Sequence, residues 1–235
     1  MPDTQLMSLL GVGFLLGLRH ALDTDHLAAV STVLAERPSL LASGAVGLCW
    51  GVGHTVTLLL VGSIVLICGI RIPDEFEFIA ESGVGVLLIV LGGMLAFKLY
   101  RERWHMHSHP HDGESHVHLH SHQRQNDHRH RHWMFESIRP FCIGMAHGLA
   151  GSAALMLMIL ATTTGVAEGL LSIFIFGLGS IVGMMVIGVT ISIPVIWSCS
   201  TSRRLFDGVQ GFASLASVVV GVWMLVRLIP PEIGH

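Results

Sequence analysis

His20-Ala-Leu-Asp23-Thr24-Asp25-His26 places two imidazoles and two carboxylates within an otherwise apolar run. Residues 6 to 34 read as a membrane-spanning segment, and each ionisable side chain at the centre of a bilayer costs about 2.5 to 3.5 kcal/mol on insertion scales. Asp23, Asp25 and the neighbouring Arg19 therefore oppose insertion unless something compensates them. Side chains this costly inside a membrane mark an ion or proton path.

The chain around this stretch has membrane-protein composition. Its 235 residues are 51% hydrophobic and 12% charged, with a mean hydropathy of +0.67. A hydrocarbon core of roughly 30 Å takes about 20 apolar residues per helix. Six segments qualify, at about 6–34, 40–70, 79–101, 138–163, 168–198 and 209–229. Unpaired backbone groups are not tolerated against lipid, so all six are expected to be helices. The fold class is therefore all-α, a polytopic membrane protein. No Lys or Arg precedes Arg19, so the first segment is expected to be retained as a span. Cys49, Cys68, Cys142 and Cys199 lie in or at the ends of expected spans without Cys-x-x-Cys spacing, and read as packing residues. The net charge of −3 says little about partners, and nothing points to nucleic acid.

Six spans sort the polar stretches onto two sides. Arg37, Lys98, Arg101, Arg103, Arg124, Arg129, Arg131, Arg139, Arg203 and Arg204 fall on one, and only Arg71 and Arg227 on the other. The positive-inside rule makes the first side cytoplasmic and leaves both termini extracytoplasmic, in a cell (inner or plasma) membrane. The acidic stretch Pro73-Asp74-Glu75-Phe76-Glu77 then faces the exterior, where a solvated loop is expected.

The two halves resemble each other. Gly17-Leu-Arg-His20-Ala-Leu aligns with Gly144-Met-Ala-His147-Gly-Leu, and Trp50-Gly-Val-Gly-His54 with Phe176-Gly-Leu-Gly-Ser180. A weaker match sets Gly92–Lys98 against Gly221–Arg227, at a nearly constant offset. Three spans per half make the second half run upside down relative to the first, giving a 3+3 inverted repeat. Repeats of this kind recur in secondary transporters, with sites near the midplane. The expected organisation is a first three-helix half at 1–101, a loop at 102–136, and a second half at 137–235.

On a straight helix His20, Asp23 and His26 fall at about 0°, 300° and 240°, with Asp25 at about 140°. Convergence of all four requires a local unwinding, which transporters use at their sites. Imidazole and carboxylate without thiolate suit a divalent ion such as Ni, Co, Zn, Mn or Fe. The competing reading is an internal salt-bridge network, with Arg19 pairing Asp23 at the i, i+4 spacing. His54 and His147 sit beside small residues that let helices approach, so both are candidates to reach the same site. The expected metal residues are thus His20, Asp23, Asp25, His26, His54 and His147.

Between the third and fourth spans lie most of the chain's 16 histidines: His105, His107, His109, His111, His116, His118, His120, His122, His128, His130 and His132. The tract has few apolar residues and repeated His-x-His. It is expected to be a disordered cytoplasmic loop and an auxiliary, weak, multivalent metal binder.

His20, Asp25 and His26 match the His-x4-Asp-His signature of the nickel/cobalt transporter (NiCoT/NicO) superfamily. Gly53-His54-Thr55 resembles that family's Gly-His-Ser/Thr element, and His147-Gly-Leu-Ala-Gly-Ser-Ala-Ala resembles the second-half motif of its urease-accessory-type members. The resemblance implies a multi-pass permease for Ni²⁺ or Co²⁺, with His20, Asp25, His26 and His54 taking part in selection and passage. A six-span chain with a His-rich loop also resembles nickel/cobalt efflux proteins, so uptake and efflux both stay open, as does a non-transporting metal-sensing accessory protein. No enzymatic role is expected, since there is no His-Glu-x-x-His helix, and no cofactor beyond the transported ion. Candidate partners are the lipid bilayer, a cytoplasmic metallochaperone and nickel-enzyme maturation proteins.

Overall fold

The structure is a computed structural model that describes residues 2–36, 39–70, 72–103, 133–151, 159, 163 and 165–229. The regular elements among them are all helices: α1 (Pro2–His20), α2 (Thr24–Leu34), α3 (Leu40–Cys68), α4 (Asp74–Arg103), α5 (Trp133–Ala150), α6 (Val166–Thr201) and α7 (Arg203–Arg227). Among the described residues, four stretches are long and apolar enough to cross a bilayer: Leu40–Cys68, Glu75–Arg101, Val166–Thr201 and Arg203–Arg227. The chain is thus all-helical and multi-pass.

The first expected span is two helices, not one. Leu22 and Asp23 donate their amides to Arg19 and His20 at 2.9 and 3.0 Å, a tight turn that ends α1. Asp23 is extended (φ −62°, ψ 145°), and its carbonyl accepts from Leu27 to start α2. The 11 residues of α2 extend only about 16 Å, half a bilayer. Ala28, Ala29, Val30, Val33 and Leu34 are all buried, so α2 is enclosed by other helices instead of facing lipid.

Of the fourth expected span, α5 holds the beginning, and residues 152–158 and 160–162 lie outside the described residues. The His-rich tract, His105 to His132, lies outside them as well. The acidic stretch is not a loop: Asp74 opens α4, and the Pro73 carbonyl accepts from Phe76 and Glu77. Carboxylates in a first helical turn are favoured by the helix dipole, which offsets the helix-starting cost of a polar sequence.

Small residues determine how the helices meet. α3 packs on α5 and α6, α1 on α6, and α4 on α7. A Cβ on Gly17 of α1 would fall on the Phe176 carbonyl of α6, and one on Gly144 of α5 would fall on the Trp50 carbonyl of α3. Gly53 stands in the same relation to Phe141, and Gly179 to Phe14. Backbones in contact maximise dispersion where no hydrophobic force separates helix from lipid. Gly51 meets Ile181 and Gly177 meets Thr55, so α3 and α6 run antiparallel. Interhelical hydrogen bonds fix the register: Thr55 to the Gly177 carbonyl (3.2 Å), Ser214 to Gly92 (2.8 Å), Ser217 to Leu88 (2.9 Å) and Gln210 to Ala35 (2.6 Å).

Candidate metal centre

The break between α1 and α2 turns a helical face into a cluster. His20 ends α1, Asp23 occupies the N-cap position of α2, and Asp25 and His26 lie in its first turn. The Asp23 side chain makes no capping bond; its Oδ2 lies 2.8 Å from His20 Nδ1. Asp25 Oδ1 lies 3.3 Å from His26 Nδ1. Asp23 therefore engages His20, not Arg19 as a salt-bridge network would have it.

α3 brings His54 to this cluster and α5 brings His147. The ring centroids of His20 and His26 are 4.8 Å apart, those of His20 and His54 5.0 Å, those of His26 and His54 5.3 Å, and those of His26 and His147 5.0 Å. One nitrogen from each of His20, His26 and His54 can be chosen so that all lie within 4.8 Å of one another. Asp23, Asp25 and His26 form a second such group, more exposed and sharing His26 with the first. All six sequence-selected residues thus occupy one locality, although His54 and His147 come from different helices.

The hydrogen bonding suits a cation. An Nδ1–H donated to a carboxylate or carbonyl leaves Nε2 with an outward lone pair. His26 has Asp25 on Nδ1, and His147 Nδ1 donates to the Ile143 carbonyl at 2.9 Å. His26 Nε2, His147 Nε2 and both nitrogens of His54 are buried without a hydrogen-bond partner among the described residues. Leaving buried imidazole nitrogens unpaired costs about 1–3 kcal/mol each. A divalent ion held by His20, His26 and His54 would remove that cost at His26 and His54, whereas His147 adjoins His26 without belonging to either ligand group.

The matched family model is that of the high-affinity nickel-transport proteins (NicO), over residues 6–151, a span that contains every one of these histidines and carboxylates. The chain belongs to this family. It is also similar to the urease accessory protein UreH of Bacillus sp. (strain TB-90), at 36% identity over 232 residues, 97% of this chain and 95% of that protein. No solved structure matches the chain. Membership in NicO makes the chain a metal-ion transporter rather than an enzyme, with nickel or cobalt as the transported ion.

Residues that the sequence did not single out also border the cluster. Trp50 packs its ring 4.9 Å from His147 and 6.4 Å from His26, and Phe176 lies 5.4 Å from His20. Gly151 faces His20, with room for a Cβ 3.5 Å from the ring. Trp50 and Phe176 were visible only as matched positions in the two halves, each four residues before His54 and Ser180 respectively.

Proposed function

We propose that the chain is a nickel or cobalt uptake permease whose ion crosses the membrane through the cluster of His20, His26, His54 and His147. The observation that carries this is the convergence of one nitrogen each from His20, His26 and His54, on three helices, with His26 Nε2 and both His54 nitrogens buried and unpartnered among the described residues. Asp23 and Asp25 orient His20 and His26, offset the charge of a dication, and with His26 offer it an adjoining, more exposed position. An N/O ligand set of fixed geometry suits nickel or cobalt; affinity alone would favour copper, so geometry must supply the selectivity.

The transport path lies in a six-span, 3+3 inverted repeat, in which α1 and α2 together make the first span. Reciprocal contacts support this reading. Gly17 rests on Phe176 as Gly144 rests on Trp50, and Gly53 on Phe141 as Gly179 on Phe14. Gly51 meets Ile181 as Gly177 meets Thr55, and Gly92 meets Ser214 as Gly221 meets Gly85. Each contact maps onto its counterpart when the halves are exchanged by the sequence alignment. Both termini are extracytoplasmic, the segment 102–136 is a cytoplasmic metal buffer, and nickel-enzyme maturation proteins are the receiving partners.

Radioactive nickel flux into vesicles reconstituted with the purified protein, measured from each side, tests the proposal. Saturable entry from the extracytoplasmic side is expected. Flux only in the opposite sense would make the chain an exporter, and nickel binding without flux would make it a sensor.

A further inference from the structure

The imidazoles of His20, His26 and His54 adjoin one another, His147 adjoins His26, and an aromatic ring packs on either side of this group. Phe176 lies against His20 at 5.4 Å; His20 meets His26 and His54; His26 meets His147; and His147 meets Trp50 at 4.9 Å. Both aromatic side chains are buried, Trp50 fully and Phe176 to 6% exposure.

The two rings lie at different levels across the membrane, with the imidazoles between them. α3 and α6 are antiparallel, with Gly51 against Ile181 and Thr55 against Gly177. Trp50 is therefore level with the residues just after Ile181, and Phe176 with those just after Thr55. Along α3 the two rings differ in level by about six residues, or about 9 Å. Trp50 lies toward the Leu40 end of α3 and Phe176 toward the Cys68 end, with His54 between these levels. The two occupy matched positions in the halves, and each sits where a glycine of a third helix touches its own carbonyl, Gly144 for Trp50 and Gly17 for Phe176. An exchange of the halves converts one closure into the other.

We propose that Trp50 and Phe176 are the two gates of the ion path, Trp50 on the side of the α3 N-terminus and Phe176 on the side of its C-terminus. The proposal rests on the reading that the ion passes through the imidazole cluster. A large aromatic ring excludes water and offers no ligand, so an ion that moves along the membrane normal past either level does so only when that ring moves. Conversion between the two openings is then a repacking of α1 on α6 and of α5 on α3, the contacts the glycines make close.

The test uses the full chain in sealed membrane vesicles of known orientation. Cys49, Cys68, Cys142 and Cys199 are replaced by serine, and Ser180→Cys, fully buried level with the imidazoles, serves as reporter. A membrane-impermeant thiol reagent is applied from each side. Phe176→Ala should speed labelling from the side of the α3 C-terminus alone, and Trp50→Ala from the opposite side alone. A normally open fraction of a few per cent makes the expected increase roughly tenfold or more. Equal increases from both sides, as from loosened packing, would overturn the gates, as would no increase. If either alanine variant fails to reach the membrane, Trp50→Leu and Phe176→Val decide the question on the same terms. Added Ni²⁺ should slow labelling of the reporter in the wild-type background. Absence of that protection refutes the metal path, and the sidedness of labelling refutes or upholds the gates independently.

Discussion

Asp23 stands at the N-cap of α2 yet directs its carboxylate backward across the helix break, 2.8 Å from His20 Nδ1. It thereby exchanges a capping bond, worth about 1 kcal/mol, for a charge-assisted bond that fixes the imidazole. Groups that orient a metal-binding histidine commonly account for about 10- to 100-fold in affinity. Asp23→Asn should therefore weaken nickel binding to the purified protein by roughly that factor while leaving its yield unchanged. Calorimetric titration measures this, and an unchanged affinity would remove Asp23 from the site.

His26 is the residue common to both candidate ligand groups, and it contacts His20, His54 and His147. His26→Ala should abolish nickel transport with the protein still in the membrane, and Asp25→Asn should do the same. Neither change adds an intramembrane charge, so insertion is not impaired. Wild-type nickel uptake by either variant would make the cluster a structural network.

Gly144 rests on the Trp50 backbone, whereas a methyl group on Gly93 would meet nothing within 4 Å. Gly144→Ala should destabilise the protein by about 1–3 kcal/mol, because two helices must separate to admit the methyl. Gly93→Ala should be neutral or slightly stabilising, since alanine favours the helix by up to about 1 kcal/mol. Thermal unfolding in detergent compares the two; equal loss would mean that α3 and α5 do not pack as described.

Arg139 on α5 and Glu36 after α2 form an ion pair at 3.0 Å, on the side to which the excess of basic residues assigns the cytoplasm. Both should be protected from impermeant reagents applied to intact cells. With cysteine at position 139, labelling should appear only after the membrane is opened. Labelling of intact cells would invert the topology.

Deleting about residues 105–132 removes the His-rich tract and none of the proposed ligands His20, His26, His54 and His147. The initial rate of nickel entry should be unchanged, and retention of nickel in the cytoplasm should fall. Loss of nickel tolerance on deletion, with lower accumulation in cells carrying the intact protein, would point to export.

The sequence by itself determined the helical, membrane-spanning class, because apolar length against bilayer thickness is a local property of each segment. It also located the His20–His26 group, since charge inside an apolar run is visible without a fold, and it carried the family signature. A straight-helix projection left Asp25 pointing away from the other three. Only the break at residues 21–23 brought Asp25 back, through φ and ψ values that no periodicity reports. Likewise, the acidic stretch before Glu77 read as loop by composition and is the first turn of α4, where the helix dipole outweighs the polar sequence. His54 and His147 were candidates from the small residues beside them and the family motifs around them. Their place beside His26 depends on α3 and α5 packing on each other and α3 on α6, which is decided by glycines that let backbones touch far apart in the chain. The same close packing sets Trp50 against His147 and Phe176 against His20. Helical periodicity fixes which face a side chain is on, but contact between helices fixes what that face meets.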